Sequence, residues 1–272
     1  MAGGKPLWHE AWFLAEVFAI VNLAFLTFDI YLAHSVNDFR RSAEYVPLAF
    51  SMIGPAILII ALFCAGRLKK IWILAGNIVG GAGIVIGLTG VILHLDSLFF
   101  YERTIKALTY SAPFAAPLAY TGLGFLIILN RMVDSASEEW AQWVLFLTLG
   151  GFVGNFVFSI SDHAENGFFY PLEWVAVAAS ALAVGFLLTP LLIRVSKTYL
   201  MLCAAVLLVE AMIGVWGFIL HAERNLGGPS IHAFRNFIYG APPLAPLLFP
   251  NLVLLGWIAL WRLWRFAPEA GL

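Results

Sequence analysis

Long apolar runs recur along the whole chain and restrict what it can fold into. Each run is about 20 residues long, enough to cross the hydrocarbon core of a bilayer as a helix, and none alternates like a barrel strand. The predicted transmembrane runs are 11–34, 46–66, 71–94, 108–130, 140–162, 172–193, 198–221 and 236–262. The expected fold class is all-α, a polytopic membrane helix bundle of about eight transmembrane helices.

The composition agrees with this fold class. The chain has 272 residues, of which 62% are hydrophobic and 11% are charged, whereas soluble domains carry about 25% charged residues. A net charge of −1 gives no basic surface for nucleic acid, so the expected partner is the lipid bilayer. Cys64 and Cys203 both lie within apolar runs and predict neither a disulfide framework nor a thiolate metal site.

Basic residues are divided unequally between the two ends of the runs. Nine fall on the side where the even-numbered runs end: Lys5, Arg67, Lys69, Lys70, Arg131, Arg194, Lys197, Arg262 and Arg265. Six fall on the other side: Arg40, Arg41, Arg103, Lys106, Arg224 and Arg235. The positive-inside rule then places both termini in the cytoplasm, and we expect a bacterial-type plasma membrane location.

Three sequence patterns occur once in each half of the chain, in the same order. They are H-x2-N-x6-E-aromatic-V from His34 and His163, G-x2-G-x-I-L-H-x-acidic from Gly87 and Gly214, and Y-x-A-P-x2-A-P-L from Tyr110 and Tyr239. Their offsets are 129, 127 and 129 residues, which indicates duplication and fusion. We therefore expect two four-helix repeats, 1–134 and 135–272, that run parallel and are related by a pseudo-twofold axis along the membrane normal.

A histidine lies at the end of every second run, on the side opposite the basic loops. The four are His34, His94, His163 and His221, and Glu44 and Glu173 recur ten residues after the first and third of them. Imidazole and carboxylate ligands together suit iron, zinc, manganese or copper. We predict that these six residues bind metal, in one shared site or in two sites related by the twofold, and that the two glutamates also act as catalytic bases.

The expected activity at such a site is oxidative or hydrolytic chemistry on a lipid-soluble small molecule. Whether the chain is an enzyme is left open by the sequence. A purely structural role for these histidines is equally compatible with the sequence, because a histidine at a helix C-terminus interacts with the helix dipole and the last carbonyls.

Two other classes of function are open. A b-type haem or quinone electron-transfer subunit could use pairs of these histidines as axial ligands, with the G-x2-G stripes under a porphyrin edge. The same stripes are also typical of close helix packing, and the absence of C-x-x-C-H excludes covalent haem. A transporter or channel for a cation or small solute would need polar groups through the full depth, of which Asn22 and Asn77 are examples.

The remaining candidate functional residues lie in the repeated proline motif and among the carboxylates within the apolar runs. Y-x-A-P-x2-A-P-L opens runs 4 and 8 and predicts helix starts with packing roles, in which the second proline kinks the helix. Tyr110 or Tyr239 could serve as a proton donor. Asp29 is expected to support His34 as a hydrogen-bonding partner, and Glu16 to reach the lipid headgroups. Glu210, central in run 7, is predicted to be either a proton relay or a structurally paired group.

Overall fold

The protein is all-helical in the computed structural model, which describes residues 9–66 and 68–269 and contains no strand in those residues. Its α-helices are α1 (Ala11–Ser35), α2 (Tyr45–Cys64), α3 (Lys69–Leu95), α4 (Phe99–Glu102), α5 (Ile105–Thr109), α6 (Leu118–Met132), α7 (Glu138–Glu165), α8 (Glu173–Leu192), α9 (Lys197–Leu226), α10 (Ala233–Tyr239) and α11 (Leu248–Leu263). Short 3₁₀ turns precede α2 and α11, at Ser42–Glu44 and Ala245–Leu247. The predicted all-α fold class is confirmed.

Within the described residues, seven helical segments are long and apolar enough to cross a bilayer. They are Ala11–Ser35, Ser42–Cys64, Lys69–Leu95, Glu138–Glu165, Glu173–Leu192, Lys197–Leu226 and Ala245–Leu263. Their length and composition are consistent with an integral membrane protein. The orientation of the termini stays a prediction, and two of the residues that it uses, Lys5 and Arg67, lie outside the described part of the chain.

The fourth predicted run is not a single helix. α5 ends at Thr109 and α6 begins only at Leu118, because Pro113 and Pro117 lack the N–H that a helix needs and restrict the residues before them. α6 keeps 15 residues, a length of about 22 Å, which is less than the ~30 Å hydrocarbon core. The predicted start of this run is wrong, and a count of eight complete spans stays a prediction.

The eighth predicted run also starts later than expected. α10 ends at Tyr239, and the next helical segment begins at Ala245. The intervening residues include the first proline of the second proline motif, so the same loss of a backbone donor interrupts both helices. Runs 4 and 8 therefore open with an unwound segment rather than with a kinked helix.

The helices pack in two groups of four. In the first group α1 packs on α2 and α6, and α3 packs on α2 and α6; in the second group α7 packs on α8 and α11, and α9 packs on α8 and α11. The contacts of α1 with α11 and of α6 with α7 join the two groups. The bundle core lies along α7, whose Trp140 and Phe152 are fully buried.

The outer surface of the bundle is apolar. Large side chains along the membrane-crossing helices, such as Ile60 and Phe63 of α2 and Leu74 of α3, are exposed, and Phe63 has 86% of its area accessible. Apolar area of this extent on a soluble protein would mark an interface. In a bilayer it is the surface that faces the lipid chains.

A buried ion pair joins α1 to α6 near the basic face. Arg131 donates to both oxygens of Glu16, at 2.7 Å and 2.5 Å, and Asn130 donates a third hydrogen bond to the same carboxylate at 3.1 Å. Both charged side chains are 0% exposed, and the guanidinium also lies 4.4 Å from the ring centre of Trp72. The expectation that Glu16 reaches the lipid headgroups is therefore wrong, because its carboxylate points into the bundle.

Polar groups in the inner half are mostly occupied by structural contacts. Asn251 of α11 donates to the side-chain oxygen of Asn22 of α1, and Asn22 in turn donates to the carbonyl of Phe18 at 2.8 Å. This link joins the two helix groups across the bundle. Asn77 is exposed on the outer surface of α3. The predicted transport path would have to use other groups, and it stays a prediction.

Candidate metal centres: two histidine–glutamate clusters

Two clusters of histidine and glutamate lie where the odd-numbered long helices end. The first cluster consists of His34, Glu44 and His94, and the second cluster consists of His163, Glu173 and His221. His34 and His94 are each the next-to-last residue of their helices, α1 and α3. His163 lies in the last turn of α7, and His221 lies five residues before the end of α9. Each glutamate comes from the segment that opens the following helix.

A tight reversal of the chain brings each glutamate back to the histidine before it. The amide of Phe39 donates to the carbonyl of His34 at 3.2 Å, and the amide of Phe168 donates to the carbonyl of His163 at 3.0 Å. Phe39 and Phe168 adopt φ angles of +50° and +52°, a left-handed conformation that is rare for a bulky residue. The same unusual backbone therefore occurs beside both clusters.

Aromatic stacking holds these reversals in place. Phe39 stacks on Tyr45 with ring centres 4.9 Å apart, and Phe168 stacks on Trp174 with ring centres 3.9 Å apart. The aromatic partner directly follows Glu44 or Glu173 in the sequence. Offset stacking of this kind contributes about 1 kcal/mol beyond area burial, so each stack fixes the start of the helix that carries the glutamate.

Each glutamate faces the Nδ1 atom of its histidine. The distance from His34 Nδ1 to Glu44 Oε2 is 3.5 Å, and that from His163 Nδ1 to Glu173 Oε2 is 3.9 Å. Both distances are too long for a good hydrogen bond. The Oε2 atoms of Glu44 and Glu173 are inaccessible to solvent and have no hydrogen-bond partner, which is costly for a carboxylate unless something else occupies that position.

The two clusters differ in how the other carboxylate oxygen is held. In the first cluster Asn37 donates to Glu44 Oε1 at 3.1 Å. Asn166, the corresponding residue of the repeated motif, is exposed. In the first half the asparagine of the H-x2-N-x6-E pattern therefore donates a hydrogen bond to the glutamate. In the second half the asparagine is present in the sequence, but its side chain is exposed.

The second histidine of each cluster is fixed by a main-chain carbonyl. His94 Nδ1 lies 2.8 Å from the carbonyl oxygen of Pro113, and His221 Nδ1 lies 2.8 Å from that of Pro242. An imidazole that donates from Nδ1 to a carbonyl keeps its Nε2 lone pair available, as metal-binding histidines do. Sequence reasoning missed these acceptors, although the repeated proline motif already contained both of them.

The spacing of the proline motif explains why these carbonyls receive an imidazole. Pro117 and Pro246 have no N–H, so neither can donate a helical hydrogen bond to the carbonyl four residues earlier, which belongs to Pro113 or Pro242. The Pro113 oxygen also accepts from the amide of Ala116 at 3.1 Å. In both halves the imidazole takes the place that a helical N–H would fill.

The same prolines cover the glycine stripes that lead to the histidines. The contacts are Gly87 and Gly90 against Pro117, and Gly214 and Gly217 against Pro246. A Cβ atom at Gly90 would come within 2.7 Å of Pro117 Cβ, and one at Gly217 within 3.1 Å of Pro246 Cβ. The stripes therefore serve helix packing, one of the two interpretations given for them, and haem binding stays a prediction.

The histidines pair within each half of the chain. The ring centres of His34 and His94 are 6.2 Å apart with planes at 72°, and those of His163 and His221 are 6.4 Å apart with planes at 89°. Among the described residues no ring contact or ion pair joins a histidine of one cluster to the other cluster. Of the two predicted arrangements, the structure brings together the two-site ligand pairs rather than four imidazoles on one axis.

Neither cluster is closed around a metal position. Among residues 9–66 and 68–269, no group of three or more His, Cys, Asp and Glu side chains has an arrangement that could hold a metal ion. The clusters bring the predicted ligand types into proximity, but a bound ion would require each glutamate and its two imidazoles to move closer together. Metal binding by the six predicted residues stays a prediction.

Within the described residues, no hydrogen bond or ion pair joins the other predicted polar partners to the clusters. Asp29 makes no hydrogen bond or ion pair with His34 within the described part of the chain, because residues five apart on a helix are about 140° apart around its axis. Tyr110 and Tyr239 are 53% and 58% exposed, and their predicted role as proton donors is untested. Asp162, which precedes His163 and has no acidic counterpart before His34, was missed.

A small cavity lies between the clusters. It holds about 20 Å³, room for about one water molecule, and its lining includes Pro113, Ser111, Ser161 and Asp162. It therefore touches the carbonyl that fixes His94 and the residue next to His163. A larger cavity of about 270 Å³ lies elsewhere, at the basic face near Arg194, and involves neither cluster.

Comparison with known proteins gives no relative: no protein family, no curated protein and no solved structure matches the chain.

Proposed function

We propose that this chain is an integral membrane protein that binds a transition metal ion at each of the two histidine–glutamate clusters, on one face of the membrane. One observation carries the proposal: in both halves a buried carboxylate oxygen, Glu44 Oε2 or Glu173 Oε2, lacks a hydrogen-bond partner and faces an imidazole nitrogen. A metal ion bonded to two ligands at about 2.1 Å in a tetrahedral site holds them about 3.4 Å apart. The Nδ1–Oε2 distances of 3.5 Å and 3.9 Å require only a small closure to reach this value.

The ligand set of each site would be two imidazoles and one carboxylate. His34 and His94 with Glu44 form the first set, and His163 and His221 with Glu173 form the second. Two nitrogen ligands and one oxygen ligand suit iron, zinc, manganese or copper, and leave positions open for a substrate. The chemistry of such a site would be oxidative or hydrolytic, with the glutamate as a ligand or a base.

A lipid-soluble substrate fits the surroundings of both sites. Tyr45 and Trp174, which stack on the reversals beside the glutamates, are each about half exposed. They lie at the end of membrane-crossing helices, where aromatic side chains meet the interface between lipid and water. A substrate held in the bilayer could therefore reach either site from the lipid side.

We also infer that the bundle arose by duplication, as two parallel four-helix units that together make eight membrane segments. The support is the recurrence of individual contacts: the His–Glu pair, the His–Pro carbonyl bond, the aromatic stack and the left-handed phenylalanine each occur once in each half. In this arrangement α6, short as it is, occupies the position of α11. Crossing of the bilayer by α6 would be tested by cysteine labelling from either side.

Metal analysis of the purified protein tests the proposal. The parent protein, expressed in metal-replete medium, should contain about two equivalents of one transition metal. The double variants H34A/H94A and H163A/H221A should each lose one equivalent and keep the other. H232A is the matched control, because His232 is exposed and belongs to neither cluster. A parent protein without bound metal, or variants with unchanged metal content, would contradict the proposal.

Haem is the second candidate, and the spacing of the rings favours it. Two imidazoles that bound one iron from opposite sides would have their nitrogens about 4 Å apart, since each metal–nitrogen bond is about 2 Å, and their ring centres about 6 Å apart. The observed separations of 6.2 Å and 6.4 Å match this value. A Soret band that H34A/H94A or H163A/H221A halves would support electron transfer, whereas non-haem metal without a Soret band would favour the first proposal.

A further inference from the structure

Two glutamates are fully buried in the bundle, and their surroundings differ. Glu16 and Glu210 are each 1% exposed. The carboxylate of Glu16 receives three hydrogen bonds from Arg131 and Asn130. Both oxygens of Glu210 are inaccessible to solvent and have no hydrogen-bond partner. Of the two roles predicted for Glu210, structural pairing is therefore not supported, because neither carboxyl oxygen has a hydrogen-bond partner.

Glu210 lies in the middle of the membrane. It is 13 residues after the first residue of α9 and 16 before the last, which places it about 20 Å from one end of that helix. Gly83 lies eleven residues before His94, as Glu210 lies eleven residues before His221. The first half therefore has no carboxyl group at this position, and Glu210 is not a remnant of a shared structural role.

The buried face of α9 that carries Glu210 packs against α11. A Cβ atom at Gly214 would come within 2.4 Å of Pro250 Cδ, and one at Gly256 within 2.7 Å of Leu207 Cδ1. Glu210 falls between these two contact positions on the same helix face, since residues three and four apart are neighbours. The carboxyl group is thus enclosed by the contact between α9 and α11.

Charged side chains on the packed helices lie far from this level. α8 carries Glu173 at its first residue and α11 carries Arg262 next to its last. On α9 itself the charged residues besides Glu210 are Lys197 at the start and Glu223 and Arg224 near the end, with His221 close to them. The neutral titratable residues Tyr199 and Cys203 both donate to the carbonyl of Phe186. Nothing on these three helices is placed to neutralise a carboxylate at Glu210, and an isolated ionised carboxylate in an apolar interior costs many kcal/mol.

We propose that Glu210 is an intramembrane proton-binding site, which holds a proton while α9 and α11 are packed together and releases it only when their contact opens. The ligand is a proton rather than a metal cation, because these helices bring no second acidic side chain to the same level. α9 also carries His221, which is bonded to Pro242 just before α11. Proton release at Glu210 would therefore loosen the same helix contact that positions the second cluster.

Infrared difference spectroscopy at neutral pH tests the protonation state. The parent protein minus E210Q should show the carbonyl-stretching band of one protonated carboxylic acid, with no loss of a carboxylate band. E16Q is the matched control, because Glu16 is equally buried but paired with Arg131, so its difference spectrum should show a carboxylate band. A carboxylate band in the E210Q difference spectrum would overturn the proposal.

Carbodiimide labelling gives a second test that needs no variant. The acid proton passes to a carbodiimide nitrogen, the carboxyl oxygen adds to the central carbon, and rearrangement to an N-acylurea leaves the protein heavier by one carbodiimide. Dicyclohexylcarbodiimide in membranes should label the peptide that contains Glu210, and a water-soluble carbodiimide should label it at least tenfold less. Labelling of Glu16 in preference to Glu210 would contradict the proposal.

Discussion

The Nδ1 atom of His221 lies 2.8 Å from the carbonyl oxygen of Pro242, and His94 makes the same contact with Pro113 at the same distance. A carbonyl oxygen only accepts, so the imidazole must donate from Nδ1. Nitrogen NMR of histidine-labelled protein should therefore assign both side chains to the tautomer with a proton on Nδ1. H94Q and H221Q identify the two signals, and H232Q should remove neither. Signals from a tautomer with its proton on Nε2 would show that these contacts are not hydrogen bonds.

Asn37 should matter for metal binding more than its repeated counterpart. Its amide donates to Glu44 Oε1 at 3.1 Å, whereas Asn166 is exposed. Removing a group that orients a ligand typically weakens metal affinity by about 10–100-fold. We expect N37A to weaken binding at the first cluster about tenfold and N166A to leave the second unchanged, as measured by titration calorimetry. Equal effects of the two substitutions would contradict this prediction.

The two chain reversals predict opposite effects of glycine and alanine. Asp38 has a φ of +56°, and Gly167, at the corresponding position of the repeated motif, has a φ of +66°. Glycine adopts such angles without steric cost, and other residues do so at about 1 kcal/mol. D38G relieves about 1 kcal/mol of backbone strain but makes the unfolded chain more flexible, so it should raise the free energy of unfolding by at most about 0.5 kcal/mol. G167A should lower it by about 1 kcal/mol. Thermal unfolding in one detergent measures both, and the same sign for the two changes would refute the argument.

The pair of Glu16 and Arg131 should be far more sensitive than an exposed ion pair. Removal of one partner of a buried pair leaves an uncompensated charge and costs about 3–5 kcal/mol. R131M should therefore strongly destabilise the protein, and the double variant E16L/R131M should recover much of that loss. K197M is the control, because the partner of Lys197, Glu269, is 81% exposed, and such a pair is worth at most about 1 kcal/mol. Denaturant unfolding in detergent provides the measurement.

Glycine packing against the prolines should not tolerate a methyl group. A Cβ atom at Gly87 would lie 2.8 Å from the carbonyl oxygen of Pro117 and 2.2 Å from Thr121 Oγ1. G87A should lower the free energy of unfolding by about 1–3 kcal/mol through overpacking. Gly81 has nothing within 4 Å of its Cβ position, so G81A should be neutral or slightly stabilising. A stabilising G87A, by thermal unfolding, would mean that α3 and α6 do not pack this closely.

Local sequence features predicted the parts of the fold that depend on local physics. Apolar runs located the long helices, since a helix in lipid satisfies its own backbone. The prediction of one helix over 108–130 failed between Tyr110 and Pro117. The two prolines of that segment were interpreted as a kink in a continuous helix, whereas they unwind it. Mean hydropathy over a window of about 19 residues does not detect such a break.

The same local features could not predict which residues far apart in the sequence come into contact. Glu16 and Arg131 are 115 residues apart, and only the packing of α1 on α6 brings them together. For the clusters, the repeated motif identified His34 and Glu44 as partners because a short reversal separates them. Whether His94 would join that pair or the opposite half depended on how α3 packs, which no spacing in the sequence encodes.

The bond between each imidazole and a proline carbonyl makes two distant sequence motifs evolve as one. Losing His94 leaves the carbonyl of Pro113 with the amide of Ala116 as its one remaining donor among the described residues, while replacing Pro117 supplies a competing amide that can close the helix and release the imidazole. Neither single change is neutral, so a lineage must alter both positions together or keep both. Among distant homologues, the histidine and the proline four residues beyond its acceptor should therefore be gained or lost as a pair, and this covariation could identify relatives that overall similarity misses.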